Sequence, residues 1–228
     1  MKKQLHIILI AILSVVLMPA CISIKENIEF NEDGSGHFSL IFDMTELNAA
    51  LKMMGEMNEE SPADSPTAES PFALKELAFK MQTIPGVSKI TIEEDDEKGF
   101  GRIGCNFLDI KALNKIMNTI FEEEEEFGDK VYFKYNGKVL QRLNAWDVRS
   151  EFDKMMQQEG LSSSEYGSFL SEGIKAMSYE TNYILPRKVK SAKNNLSQIH
   201  DWNVKISYFP WDENKGGREH SIENKIKF

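Results

Sequence analysis

The sequence predicts an α+β fold, with antiparallel sheet totalling about nine strands and about five helices. Three observations lead there. Apolar residues alternate with polar ones in several runs, as in Ile22, Ile24, Ile28 and Phe30, and again in Phe38, Leu40, Phe42 and Met44. Turn signals stand between such runs, Asn31-Glu32-Asp33-Gly34-Ser35-Gly36 and Asn136-Gly137 among them. Asn-Gly is the strongest short hairpin signal, because a type I′ turn needs positive φ at both central residues. Other stretches space their apolar residues as a helix does, for example Leu74, Leu77, Ala78 and Met81.

Taken in order, the alternation opens at Ile22, and only Glu26 interrupts its apolar side. The Gly/Asp cluster then joins it to the next run as a hairpin. Asp43 or Thr45 caps a helix carrying Leu47, Ala50, Leu51 and Met54. Residues 58–71 hold three prolines among Ser, Thr, Ala and acids, the composition of a mobile loop with nothing to bury. Ser70-Pro71 gives a cap and first turn for the helix that Pro85-Gly86 stops. Strands follow at 88–93 and 101–107, and Asp109 caps a helix through Leu113, Met117 and Ile120.

A hairpin-then-helix unit is therefore expected twice. Asp43, Leu47 and Asn48 match Asp109, Leu113 and Asn114 at a constant offset of 66. Duplication and two independently capped helices both account for this pattern. Strands at 130–135 and 138–143 flank Asn136-Gly137. A helical insertion follows at 147–176. Its first helix ends at Gly160, and its second opens on the capping box Ser162-Ser163-Ser164-Glu165. Strands resume at 178–185, 204–209 and 222–228, with a turn-rich loop at 212–218.

The chain has 228 residues, 27 basic and 36 acidic, for a net charge of −9. That balance argues against nucleic acid as a partner, since phosphate-backbone binding needs clustered positive charge. The amino terminus is set apart from the rest. Lys2 and Lys3 precede an apolar run from Ile7 to Met18 in which only Ser14 is polar. About twenty apolar residues are needed to span a bilayer, so this run has the length of a signal-peptide core and not of a lasting span. Leu17-Met18-Pro19-Ala20-Cys21 closes it and resembles the bacterial lipobox. Residues 1–20 are thus expected to be a lipoprotein signal peptide, and residues 21–228 a single α+β domain. The resemblance implies that Cys21 is the lipid attachment site, carrying diacylglycerol and palmitate-like chains. Two or three acyl chains make attachment stable, at roughly 0.8 kcal/mol per buried methylene. Ile22 follows where an aspartate marks inner-membrane retention in many Gram-negative lipoproteins. The expected address is therefore the outer membrane, facing the periplasm.

The one other thiol, Cys105, shares a strand face with Ile103 and Phe107 and reads as a buried small hydrophobe. His37, His200 and His220 lie apart, with no Cys/His cluster around any of them. No nucleophile elbow, P-loop or dinucleotide fingerprint is present. The expectation is no catalytic residue, no metal and no cofactor. The Asn31–Gly36 cluster has its glycine at the sixth place of a calcium loop, but Phe42 stands at the twelfth, where a bidentate glutamate is needed. Glu122–Glu126 reads as a solvated acidic run.

Two sets of residues are candidates for binding. Arg187, Lys188, Lys190 and Lys193 form a basic cluster suited to anionic headgroups. Phe152, Met155, Met156, Tyr166, Phe169 and Leu170 form a Met/aromatic set able to line an apolar groove. Core packing and a solvated surface are the plainer readings of both.

The opening Cys21…Asn31-Glu32-Asp33-Gly34-Ser35-Gly36 and the late Tyr183-Ile184-Leu185-Pro186-Arg187-Lys188-Val189-Lys190 resemble small bacterial envelope lipoproteins of unknown function. The chain is also similar to the LppM-like lipoprotein domain in its strand–Asp-Gly–strand opening and its late Pro-x-Lys-Val strand. It departs from that pattern at Arg187, where a glycine is usual. The resemblance implies a lipid-anchored α+β domain and carries over no catalytic residue. The expected function is non-enzymatic: a membrane-tethered lipoprotein that binds an envelope protein or lipid. A lipid-anchored enzyme and a structural or assembly subunit are the alternatives.

Overall fold

The computed structural model describes residues 22–57, 73–121, 130–143, 173, 175–211 and 221–228. They form two sheets and three helices. The larger sheet contains β1 (Ser23–Phe30), β2 (Gly36–Asp43), β3 (Val87–Asp95), β4 (Phe100–Phe107), β7 (Ser178–Ile184), β9 (Ser197–His200) and β10 (Asn203–Tyr208), in the order β3-β4-β2-β1-β7-β10-β9. The smaller contains β5 (Phe133–Tyr135), β6 (Val139–Arg142), β8 (Ser191–Ala192) and β11 (Asn224–Lys227), in the order β5-β6-β11-β8. The helices are α1 (Thr45–Met57), α2 (Leu74–Gln82) and α3 (Ile110–Ile120).

Among the described residues there are eleven strands, against the nine expected. The additional two, β8 and β9, are short and mostly exposed, so they carry no alternating apolar face for a period-two reading to detect. The two helices expected within 147–176 lie outside the described residues, apart from the helical Gly173 and Lys175 near the end of the range. The large sheet is also not wholly antiparallel. β1 and β7 run parallel, from Ser23↔Ser178 to Glu29↔Ile184. Parallel neighbours need a long crossover, and here almost the whole chain between them serves as one.

The hairpin-then-helix unit occurs twice, as β1-β2-α1 and β3-β4-α3, with β2 and β4 side by side and antiparallel. Its matched residues do matched work. Asp43 accepts the Thr45 N–H at 3.1 Å, and Asp109 accepts those of Lys111 and Ala112 at 2.9 and 2.8 Å. Both caps satisfy amides that the first helical turn leaves unpaired. Asn48 donates to the Glu97 carbonyl at 3.1 Å, and Asn114 to the Phe133 carbonyl at 2.9 Å. Each asparagine ties its helix to backbone further along the chain.

The Asn31–Gly36 segment is a turn. Gly34 sits at φ 87°, and the Asp33 carboxylate accepts from both the Ser35 N–H and its hydroxyl. Those hydrogen bonds hold the Asp33 pKa below its usual value. Gly36 is required for another reason. A Cβ there would lie 1.9 Å from the Glu29 carbonyl oxygen and 2.5 Å from Phe107 Cζ.

The core lies on one face of the large sheet. Register sets side chains in transverse rows: Cys105, Phe38, Ile28, Tyr183 and Val204 make one, and all are buried. α2 packs on β3 and β4, and α3 lies against α2, β4 and β5. The small sheet covers the other half of the same face. Tyr135 stacks between Phe30 and Phe228, with ring centroids at 5.3 and 6.1 Å, and Phe133 meets Tyr183 edge-on at 6.3 Å.

Candidate functional site

The next transverse row is different. It runs Ile103, Leu40, Glu26, Thr181, Ile206, so a carboxylate and a neighbouring hydroxyl stand among apolar core residues. Glu26 is 0% exposed and Arg142, from β6 of the small sheet, is 1% exposed. The Arg142 Nη2 donates to Glu26 Oε2 at 3.2 Å, and the Tyr179 hydroxyl donates to the same oxygen at 2.9 Å. The guanidinium lies over the Phe133 ring at 4.4 Å and near the Tyr132 ring at 5.6 Å, which adds cation–π attraction. Burial is the largest influence and works against the Arg142 charge, but the Glu26 carboxylate together with Tyr183, Tyr179 and Tyr132 turns the net shift upward. Burial and the same carboxylate push Tyr179 and Tyr183 upward, so both phenols stay neutral, Tyr179 as a donor to Glu26.

Not every polar atom here is satisfied. Glu26 Oε1, Arg142 Nε and Nη1, Thr181 Oγ1 and the Tyr183 hydroxyl lack a hydrogen-bond partner. Such atoms carry a desolvation penalty of roughly 1–3 kcal/mol each. The cluster is closed to solvent, so its evident work is to lock one sheet over the other. It joins residues from β1, β6 and β7, and no two of those strands are neighbours in sequence except through long connections.

The small sheet's outward face is open and cationic. Lys134 pairs with Gln141, Gln141 with Lys225, and the Lys193 N–H bonds the Lys225 carbonyl at 3.2 Å. One row thus holds three lysines around a central amide, and Lys227 stands two positions along β11 on the same face. A depression of about 390 Å³ is lined by Gln141, Lys193, Asn194, Ser221, Glu223, Asn224 and Lys225. A second of about 240 Å³, lined in part by Lys134 and Tyr135, shares Gln141 and Lys225 with it. The wall is held from beneath by Asn224, 2% exposed, whose Oδ1 accepts the backbone N–H groups of Lys193, Asn194 and Lys225 at 3.0, 3.0 and 2.8 Å.

The basic cluster expected from sequence is split between two settings. Arg187 contacts Glu32 at 3.3 Å and Lys188 contacts Asp201 at 2.9 Å, all of them exposed on the large sheet's side. Lys190 and Lys193 instead join the small sheet, where the Lys190 N–H bonds the Lys227 carbonyl at 2.8 Å. Cys105 is fully buried, and burial pushes its thiol up to about 12. His37 is half-buried, its Nδ1 at 3.0 Å from Asn106 Oδ1, and His200 is exposed at the end of β9. Cys21, the groove residues Phe152, Met155, Met156, Tyr166, Phe169 and Leu170, the loop 58–71, the acidic run 122–126 and His220 lie outside the described residues.

Sequence reasoning missed Arg142 as the partner of Glu26, and Lys134, Lys225 and Lys227 as one face. Signals existed for both. Glu26 interrupts an apolar face, Arg142 shares a face with Leu140, and Lys225 and Lys227 sit at strand spacing. The pairing of distant strands, which no local pattern encodes, was needed to join them.

Among the described residues no three His, Cys, Asp or Glu side chains group as metal ligands, and no helix is long and apolar enough to cross a membrane. No family model matches the chain, and no curated protein matches it. Among solved structures, it is similar to the folded domain of Mycobacterium tuberculosis LppM, solved by NMR. The identity is 11%, the coverage 92% of this chain and 91% of that one, and the TM-score 0.42.

Proposed function

We propose that the chain is an outer-membrane-anchored lipoprotein facing the periplasm, tethered through acylated Cys21, with a non-enzymatic body that binds an envelope protein or lipid. The observation that carries this reading is the junction at residue 21. The lipobox-like Leu17-Met18-Pro19-Ala20-Cys21 ends one residue before Ile22, which is already buried at 7% exposure, and β1 starts at Ser23. No spacer separates the cysteine from the folded body.

That junction sets an orientation. Two residues reach at most about 7 Å, so the Ser23 end of the large sheet is held against the bilayer. β1 and β7 run parallel, and Arg187 and Lys188 follow the far end of β7. An eight-residue strand is about 26 Å long at roughly 3.3 Å per residue. Headgroup contact by Arg187 and Lys188 is therefore open only to a body lying along the membrane and not standing on it.

The test is fractionation of cells carrying the full chain. The wild type is expected in the outer-membrane fraction and a Cys21→Ser variant in soluble or unprocessed form. An unchanged membrane fraction for the variant counts against the anchor. Crosslinking from intact membranes, followed by identification of what is captured, tests the binding role; a body that captures neither protein nor lipid contradicts it.

A further inference from the structure

We propose that the outward face of the small sheet is a binding site for a phosphate-bearing small molecule, held by Lys134, Lys193, Lys225 and Lys227 around Gln141. This goes beyond the tethered-lipoprotein reading and does not depend on acylation. The first support is charge. In a chain of net charge −9, four lysines share one sheet face, and none has an ion-pair partner among the described residues. Elsewhere Lys75, Lys98, Lys188 and Lys205 each contact a carboxylate. Adjacent strands lie about 4.8 Å apart, so Lys225 and Lys193 are neighbours and Lys134 stands one strand beyond, across Gln141, within reach of an anion held between their long side chains.

The second support is construction. Asn224 is almost wholly buried, and its side chain fixes the backbone from which Lys193 and Lys225 project. Its Nδ2 is in turn held to the Ser197 hydroxyl at 3.0 Å. Asn194 braces the rim by donating to the Ser221 and Glu223 carbonyls at 2.6 and 2.8 Å. The cations are thus carried on a rigid wall around a concavity, which lowers the ordering cost of binding. Phosphate suits them, since ammonium groups act on it as point charges and need no forked geometry. The Gln141 amide has no partner among the described residues and is free to donate.

A discrete ligand fits better than an anionic bilayer. The face is concave, and Glu223 is part of its lining. A continuous anionic surface would press on that carboxylate, whereas a small ligand can turn its phosphate to the lysines and a hydroxyl to Glu223.

The experiment titrates the purified full chain with inorganic pyrophosphate, following backbone amide shifts by NMR. Saturable shifts centred on Lys193 and Lys225 are expected. Lys193→Gln with Lys225→Gln should weaken binding about tenfold or more, equal to about 1.4 kcal/mol. Lys25→Gln with Lys111→Gln, on other surfaces, should leave it unchanged. If the first double variant fails to fold, Lys134→Gln with Lys227→Gln carries the same expectation. Shifts that do not saturate, or affinity equal in all variants, overturn the proposal. A second arm uses the Cys21→Ser chain, so that no acyl chain inserts, with phosphatidylglycerol vesicles. Lysine-dependent vesicle binding without pyrophosphate binding overturns the proposal in favour of a membrane-contact face.

Discussion

The Glu26 carboxylate and the Arg142 guanidinium meet at 3.2 Å between two sheets, although 116 positions separate them in the chain. The pair is closed to solvent and its partners are aromatic. In such a place the cost of removing one charge is set by the charge left behind.

Glu26→Leu or Arg142→Met alone is therefore expected to destabilise the fold by about 3–5 kcal/mol. Glu26→Leu with Arg142→Met should cost much less than the sum, because no charge is stranded. Urea unfolding of the four proteins measures this. Additive losses contradict the clamp.

Much of the fold was legible in the sequence, and the reasons differ by element. Strands β1, β2 and β4 have one dry face, so their apolar residues alternate along the sequence, with Glu26 the interruption on β1. The hairpin at Asn136-Gly137 was legible but its turn type was not: Gly137 takes φ 78° while Asn136 does not take positive φ, so the turn is not type I′. The strand expected at 130–135 shrinks to Phe133–Tyr135 for a reason no local pattern shows. The Lys130 N–H is taken by Asn118, and those of Tyr132 and Phe133 by Asn114. The two candidate sites were not legible, because each is assembled from strands whose pairing depends on the whole topology.

Asn114 is a second place where distant backbone depends on one side chain. Its Oδ1 accepts from Tyr132 and Phe133 at 2.7 and 2.8 Å, and its Nδ2 donates to Phe133 at 2.9 Å. Asn114→Ala leaves these backbone groups unpaired. A loss of about 2–4 kcal/mol is expected, from two or more groups at roughly 1–3 kcal/mol each. Hydrogen exchange should show faster exchange at residues 132 and 133. Unchanged protection there rejects this account of the α3–β5 junction.

Cys105 gives a pH prediction. Its folded pKa, about 12 against an ordinary 9.0, is raised by burial. Between those values the folded state keeps a proton that the unfolded chain has lost. Stability is then full below pH 9 and declines as pH rises toward 12. Tyr179 and Tyr183 add to the decline only above their ordinary value of 10.0. Cys105→Val should therefore flatten the fall between pH 9 and 10 while leaving the steeper fall above it. In the native wild type, iodoacetamide at pH 8 should leave Cys105 unmodified, and urea should expose it. Rapid labelling of the native protein contradicts its burial.

The account rests on a lipid tether at the first residue of the mature chain. Mass spectrometry of the amino-terminal peptide from membrane-purified protein tests it most directly. The predicted result is a peptide beginning at Cys21 and carrying the added mass of a diacylglyceryl group, with or without a further acyl chain. A peptide beginning at any other residue, or an unmodified cysteine, contradicts the account.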